Sequence, residues 1–268
     1  MRKSARGAPD RALPYVIRHS ESGPNSAVVV ASGEIDAHAA PFLRDTLMSL
    51  AASGRTQLII DMTAATFIDS TAIGVLVGHL RRMGEAGGSL TVACANENVL
   101  RTFEIAGLER ELEIRAKFTE ALVRRVARAP QVHRLSSFLR APGTLELRLE
   151  AHAAEVARAR GFAAAAARRF GLDPRRRYDF ALAASEAVAN AIEHGGSCRD
   201  GGIELWITER SDALTVGVRD GGRFVLDPLP PDPLPERGRG LRLMSRLVDE
   251  ISIERNNAHT EVTLSLRR

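Results

Sequence analysis

The order of strand-like and helix-like segments changes halfway along this chain, and that change constrains the fold most. In the first half, runs rich in β-forming residues alternate with segments of helical periodicity. The β-rich runs are residues 15–20, 27–35, 56–62 and 89–95, and the helical segments are 40–53, 70–87, 98–107 and 119–128. Alternation of this kind predicts an α/β domain, an open sheet covered by helices.

The second half has a different order of elements, because its strands and its helices are more segregated along the sequence. A strand at 144–150 precedes two long helical stretches, and a hairpin-like strand pair follows them. The remaining elements predicted in order are helices at 153–170, 175–194 and 241–250, and strands at 202–210, 213–220, 251–256 and 260–266. This pattern predicts an α+β sandwich.

The periodicity fades between residues 129 and 143, which Pro130 and Pro142 bracket. We place a linker there, because prolines interrupt regular elements. The predicted organisation is a disordered tail at 1–12, a first domain at 13–128, the linker at 129–143 and a second domain at 144–268.

Composition excludes several classes of protein. The chain is 44% hydrophobic and 26% charged, as expected of a globular protein. No apolar run approaches the ~18 residues of a membrane span, so we expect no membrane association. The two cysteines form no metal-binding motif and the basic start is no secretory signal, so we expect a cytoplasmic location. Short arginine clusters without a groove-reading motif predict no direct contact with nucleic acid.

The helical segment at 175–194 carries polar residues one turn apart. Glu186, Asn190 and Glu193 fall on one face at the helical period of about 100° per residue. A carboxylate beside an amide oxygen suits a magnesium-bound triphosphate, because Mg²⁺ prefers hard oxygen ligands. The alternative is an ordinary amphipathic helix whose polar face meets solvent.

Two glycine-containing stretches follow in the order that a nucleotide site requires. Asp220 stands at a strand end before two glycines, where its carboxylate can accept a hydrogen bond from an adenine amino group. Gly238 and Gly240 precede a helix, where backbone N–H groups can approach phosphate.

Together these segments resemble the ATPase domain shared by histidine kinases, gyrase B and the anti-sigma-factor serine kinases, a Bergerat-type α/β sandwich. The serine-kinase box Ser-Glu-Ala-x-x-Asn-x-x-x-His-Gly occupies residues 185–195. The resemblance implies ATP and Mg²⁺ as cofactors, with Glu186 as the catalytic carboxylate and Asn190 as the magnesium ligand. The other nucleotide-binding residues that it implies are Asp220, Gly222 and Thr260 near adenine, and Gly238, Arg239 and Gly240 near the phosphates.

The stretch TFIDSTAIG at residues 66–74 places a carboxylate and two hydroxyls where a helical pattern begins. A helix cap and a phosphate site both suit such a junction, and they are compatible. With the stretch at 33–43, this segment resembles the STAS fold of anti-sigma-factor antagonists. The resemblance implies that the serine after the aspartate, Ser70, is the phosphoacceptor.

The sequence therefore predicts a bacterial regulator of sigma-factor activity by partner switching. In this hypothesis a phosphorylatable STAS domain is fused to an ATP-dependent serine kinase, and Ser70 is phosphorylated within the chain or on a second copy. Implied partners are a sigma factor, separate anti-sigma or antagonist proteins, and a second copy bound through the kinase domain. The alternative is a non-catalytic ATP-binding scaffold, which Phe224 in place of a family glycine leaves open. A hydrolase using Ser70 is disfavoured, because no Gly-x-Ser-x-Gly elbow is present.

Overall fold

A computed structural model describes residues 15–108, 112–115, 144–194, 202–221, 239–255 and 259–267. The predicted tail, the helix predicted at 119–128 and the predicted linker lie outside the described residues. The strands are β1 Tyr15–Glu21, β2 Ser26–Ile35, β3 Gln57–Asp61, β4 Ala65–Ile68, β5 Ser89–Ala93, β6 Glu113–Arg115, β7 Thr144–Glu150, β8 Gly202–Glu209, β9 Ala213–Asp220, β10 Glu250–Arg255 and β11 Thr260–Arg267. The helices are α1 Ala40–Ala52, α2 Ser70–Glu85, α3 Glu97–Ile105, α4 Ala154–Phe170, α5 Pro174–His194 and α6 Arg239–Leu247.

The first sheet has six strands and is mostly parallel. Its order is β1-β2-β3-β5-β6, with β1 antiparallel to β2. Strand β4 also pairs with β2, beyond the end of β3, so that Phe67 lies opposite Glu34 and Ile68 opposite Ile35. The chain leaves β4 at the carboxyl end of β2 and enters α2 there, which fixes where Ser70 lies.

Helix α2 follows the apolar period that its sequence predicts. Ile73, Leu76, Val77 and Met83 are buried in the first core, and Leu80 packs against it. Strand β2 buries Ala27, Val29 and Ala31 on the same core. Burial of this apolar face is the main contribution to the stability of an amphipathic helix.

The second sheet has five antiparallel strands in the order β10-β11-β9-β8-β7. Helices α4, α5 and α6 pack on the face that carries the buried residues of its strands, such as Ile203, Leu205 and Ile207 in β8. Helix α4 ends at Gly171, whose φ of 87° is the left-handed conformation that glycine adopts at low cost. The expected α/β and α+β arrangement is confirmed.

Three details differ from the sequence expectation. The short strands β4 and β6 were not predicted, because four and three residues are too few to display a period of two. Helix α6 ends at Leu247 and not at residue 250, because Glu250 pairs with Ser265 at the start of β10.

Within the described ranges, no helix has both the length and the apolar character needed to span a membrane.

Candidate functional site

Ser70 is the first residue of α2, and Asp69 caps this helix. The Asp69 backbone is extended, and its Oδ1 accepts a hydrogen bond from the Ala72 amide at 3.0 Å. Its Oδ2 accepts a second from the Ala37 amide at 2.7 Å, which ties the helix start to the segment after β2. Asp69 therefore fixes the position of Ser70 through backbone groups on both sides.

Glu186 lies on α5 and faces Ser70 directly. The Ser70 hydroxyl donates to Glu186 Oε2 at 2.5 Å, and the Ser70 amide donates to Glu186 Oε1 at 2.8 Å. Only 1% of the Glu186 surface is exposed. The polar face predicted for α5 is therefore not a solvent face at Glu186, because the first half of the chain covers it.

The two buried carboxyl groups at this contact affect each other. Burial raises the pKa of Glu186 to about 6, against the hydrogen bonds from Ser70, which lower it. Burial and then the charge of Glu186 raise the pKa of Asp69 as well. A carboxylate with a pKa nearer neutrality is a stronger proton acceptor than an ordinary surface glutamate.

Gly240, in the first turn of α6, lies against the same carboxylate. A Cβ at this position would stand 2.8 Å from Glu186 Oε2 and 3.1 Å from Asn190 Oδ1. Arg239 and Gly240 are both buried at the start of α6, which is a helix of nine residues. Three residues predicted for one site, Glu186, Asn190 and Gly240, are thus neighbours.

Asp220 and Thr260, the two residues expected near adenine, are direct partners across the sheet. Asp220 ends β9, Thr260 begins β11, and the register pairs them. Both side chains are buried. Gly222 and Gly238, which complete the predicted nucleotide site, lie outside the described residues.

A set of side chains that sequence reasoning missed joins the two halves around Ser70. Arg160 of α4 is buried and pairs with Glu34 and with Asp36, whose Oδ2 lies 3.0 Å from Arg160 Nη2. Its guanidinium also lies 4.1 Å from the ring centroid of Phe67, three residues before Ser70. Nothing local distinguishes this arginine from others in an arginine-rich helix.

A second group of contacts involves Phe67 and the start of α5. The Phe67 and Tyr178 ring centroids are 5.7 Å apart, and the Tyr178 hydroxyl is 3.1 Å from Thr102 Oγ1. Arg101 of α3 pairs with Asp179 of α5. Phe67 belongs to the second core, although its strand is part of the first sheet. The two halves therefore meet through packed apolar and ionic contacts.

This arrangement holds a hydroxyl in hydrogen-bond contact with a buried carboxylate. Such a pair is the geometry of a nucleophile and its general base. The start of α6 is close by, and backbone N–H groups at a helix start favour phosphate. A Cβ at Gly240 would collide with Glu186 and Asn190, so glycine allows the start of α6 to approach both side chains. A helix start beside a carboxylate and an amide is chemistry that suits a nucleotide phosphate.

The donor set is also compatible with magnesium. The amide oxygen of Asn190 is a hard ligand, and Mg²⁺ is usually held by one or two protein oxygens together with substrate phosphates. No group of three or more His, Cys, Asp or Glu residues that could hold a metal occurs in the described part of the chain.

Comparisons with known proteins agree with both halves of this description. The STAS domain model matches residues 19–121, and the histidine kinase-like ATPase domain model matches residues 149–266. The chain is 39% identical over 93 residues to an anti-sigma-B factor antagonist of Bacillus subtilis, covering 35% of this chain and 84% of that protein. It is 32% identical over 87 residues to the anti-sigma-B factor antagonist of Listeria monocytogenes, covering 32% of this chain and 76% of that protein.

Among solved structures, the RsbU and RsbW domains of Rv1364c from Mycobacterium tuberculosis are similar at 24% identity. That match covers 47% of this chain and 32% of the other, with a TM-score of 0.39. The family models and the antagonist relatives carry the assignment. The chain therefore belongs to the STAS family of anti-sigma-factor antagonists, and a histidine kinase-like ATPase domain follows its STAS domain.

Proposed function

We propose that this chain is a partner-switching regulator of a sigma factor that phosphorylates itself, its ATPase domain transferring the γ-phosphoryl group of ATP to Ser70. One observation carries the proposal: the Ser70 hydroxyl donates to Glu186 at 2.5 Å within a single chain. The acceptor predicted from one half and the carboxylate predicted from the other are in direct contact.

In the proposed reaction Glu186 is the general base. Its carboxylate takes the proton of the Ser70 hydroxyl while the Ser70 oxygen bonds to the γ-phosphorus. The bond from that phosphorus to the β,γ-bridging oxygen breaks, and ADP leaves with the electron pair. The Ser70 amide, donating to the other oxygen of Glu186 at 2.8 Å, holds the carboxylate in place.

The remaining predicted site residues position the nucleotide in this proposal. Asp220 and Thr260, paired at the strand ends, hold adenine, and the start of α6 at Arg239 and Gly240 faces the phosphates. Asn190 would hold Mg²⁺. The ion would supply positive charge that neutralises the phosphate oxygens during transfer.

Proposed partners follow from the relatives, which are named as antagonists of an anti-sigma factor. We propose that the ATPase domain binds a sigma factor. The STAS domain, alone or with separate anti-sigma or antagonist proteins, would compete with the sigma factor for binding to the ATPase domain. A second copy of the chain is a further proposed partner, through the ATPase domain. A negative phosphate on Ser70 would change the sign of the surface that such partners read.

A second candidate is a scaffold that binds ATP and partners without transferring phosphate. The same Ser70–Glu186 contact favours it in one respect, because both oxygens of Glu186 are already engaged in docking the two halves. In this alternative Glu186 is an interface residue, and its removal weakens docking without loss of any chemistry.

The experiment that separates the two is intact mass spectrometry after incubation with magnesium and ATP, followed by peptide mapping. The kinase proposal expects one added phosphate on Ser70, absent from both Ser70→Ala and Glu186→Ala. Bound ATP with no added phosphate would overturn it in favour of the scaffold. A phosphate on another residue, unaffected by Ser70→Ala, would overturn the assignment of the acceptor.

A further inference from the structure

Strand β7 is one edge of the second sheet. It pairs with β8 along all seven of its residues without a shift in register, and within the described ranges no strand pairs with its other side. An edge strand presents unpaired N–H and C=O groups, and proteins protect such edges with proline, bulges, short strands or charges. In the sequence TLELRLE of β7 the charges are the only such protection. Their arrangement therefore determines which strand can pair with this edge.

The side chains of β7 alternate between the core and the face of the sheet opposite the helices. Leu145 and Leu149 are buried in the second core, and Leu147 is half-buried against it. Glu146 and Arg148 are exposed on the opposite face. Neither charge forms an ion pair with another residue of the described ranges, so both can pair with a partner chain.

The sequence of β7 is complementary to itself in the antiparallel direction. If Leu147 lies opposite Leu147 of a second copy, Glu146 lies opposite the partner's Arg148, and Arg148 lies opposite the partner's Glu146. Opposite charges directly across a strand pair are stabilising, and like charges are destabilising. A shift of two residues in either direction would place Glu146 opposite Glu146 or Arg148 opposite Arg148. The charges therefore select a single register, which also keeps the leucines of both copies on the same face.

The opposite edge of this sheet lacks such complementarity. In β10, the register that places Ile251 opposite Ile253 of a second copy would also place Glu250 opposite Glu254. Like charges would then face each other on both sides of the two-fold axis, which is destabilising. Complementarity to itself is therefore a property of β7 and not of both edges of the sheet.

We propose that β7 is a surface for self-association, on which β7 of a second copy pairs antiparallel about a two-fold axis centred on Leu147. The two five-stranded sheets would then form one continuous sheet, and the interface would be isologous. The inference rests on the proposal that a second copy binds through the ATPase domain, and it names the strand that makes this contact. Strand pairing alone buries less area than a standard interface, so the dimer is weak and reversible.

Sedimentation velocity of the full-length chain over a range of concentrations tests the self-association. The buffer has low ionic strength and no nucleotide, because salt screens exposed charges. We expect a reversible equilibrium between monomer and dimer. Amide hydrogen exchange of a peptide covering residues 144–150 should be slower at concentrations that favour the dimer than in dilute solution, because the outward N–H groups of β7 are then bonded to the second copy.

Charge reversal tests the register. In a dimer, Glu146→Arg places arginine opposite arginine twice, and Arg148→Glu places glutamate opposite glutamate twice. Each variant should therefore dimerise at least about tenfold more weakly than the unmodified chain. An equimolar mixture of the two variants should recover dimerisation, because every pair across the axis then has opposite charges. Glu254→Arg, the same charge change at an exposed position of β10, is the matched control and should dimerise as the unmodified chain does.

Three results would overturn the proposal. One is a chain that stays monomeric at every concentration, which would also remove the second copy from the proposed partners. Another is a dimer that both charge reversals leave unchanged, or that Glu254→Arg weakens equally, which would place self-association on a different surface. The third is a mixture of the two variants that remains monomeric. Both positions are exposed, so the variants should keep the thermal midpoint of the unmodified chain. None of these measurements involves ATP, so they are independent of whether Ser70 is phosphorylated.

Discussion

The contact between Ser70 and Glu186 gives one carboxylate two tasks. Its two oxygens accept hydrogen bonds from the Ser70 hydroxyl and the Ser70 amide, so the side chain of Ser70, the proposed phosphoacceptor, is held in one orientation. Glu186 is 1% exposed, so no bulk water competes for these bonds. A base that is oriented before the nucleotide arrives has less reorganisation to undergo during transfer.

The pH dependence of Ser70 phosphorylation follows from the pKa of Glu186. Burial raises this pKa to about 6, and a general base acts only when it is ionised. We therefore expect the single-turnover rate to be constant above that pH and to fall about tenfold per pH unit below it. A rate that stays constant down to pH 5 would contradict the role of Glu186 as base.

Gly240→Ala tests whether the close approach of α6 to Glu186 matters. The new Cβ would lie 2.8 Å from Glu186 Oε2, closer than such atoms normally approach, so the carboxylate or α6 must move. We expect at least a tenfold loss of phosphorylation rate, because small displacements of a reacting group are costly. The measurement is the rate at saturating ATP, together with the thermal midpoint.

Gly84→Ala is the control for that variant. Gly84 is also helical, in α2, and a Cβ there meets nothing within 4 Å. Alanine should raise stability by up to about 1 kcal/mol through helix propensity and leave the rate unchanged. Equal rates for the two variants would show that Gly240 has no special role.

Local sequence patterns single out the candidate site residues and do not show what surrounds them. Asp69, Ser70, Glu186 and Asn190 each stand in a local pattern whose spacing is visible in one helix or one helix start. That Glu186 is buried could not be predicted, because the group covering it lies 116 positions away. Periodicity reports which residues share a face and does not identify what packs on that face.

At the scale of elements, helix α4 docks on strands β2 and β4 through Arg160. This guanidinium pairs with Glu34 and with Asp36, which is fully buried, and it covers the ring of Phe67. The net effect of burial and the two carboxylates is to raise the pKa of Arg160, so it stays charged. Its removal would leave Asp36 as a buried charge with no cation.

Arg160→Ala should therefore loosen the docked halves. Breaking a buried pair from one side costs about 3–5 kcal/mol, because it leaves an uncompensated buried charge. We expect faster amide hydrogen exchange on both sides of the contact, in peptides covering residues 65–74 and 180–190. Slower phosphorylation of Ser70 should accompany it.

Arg158→Ala is the matched control on the same helix. Arg158 is 45% exposed and pairs only with Glu155, one turn away, within the described residues. Exposed pairs of this kind contribute about 0–1 kcal/mol, so exchange at the contact should not change. Identical exchange in both variants would contradict the assignment of Arg160 as a docking residue.

Sequence patterns predicted most elements, including α2 and α5, and missed β4, the short strand that leads into α2. Strand β4 has four residues, and Phe67 on it packs into the second core rather than the first. Arg160 lies in an alanine- and arginine-rich helix, where its neighbours Arg158 and Arg168 look equivalent. Only the tertiary arrangement shows which arginine meets two carboxylates.

At the scale of the whole molecule, the docked arrangement should end once the transfer has occurred. A phosphate on Ser70 carries about −1.5 to −2 charges and would face the carboxylates of Glu186 and Asp69. Like charges in a buried contact repel strongly, because little water screens them. The product of the proposed reaction therefore destabilises the contact that made it.

We expect the phosphorylated chain to be more extended than the unmodified one. Small-angle scattering of the two forms, with the phosphate verified by mass, should show a larger radius of gyration after phosphorylation. Removing the phosphate with a phosphatase should restore the smaller value. Ser70→Ala treated with ATP should remain compact, and equal radii for both forms would contradict the repulsion argument.

The central claim is that transfer occurs within one chain, and the most direct test is the rate of Ser70 phosphorylation across a dilution series. A mixture of Glu186→Ala with Ser70→Ala supplies the comparison between chains. The account predicts a first-order rate constant that does not change on dilution, and no phosphate on the Glu186→Ala chain of the mixture. A rate that rises in proportion to protein concentration, with phosphate on that chain, would contradict it.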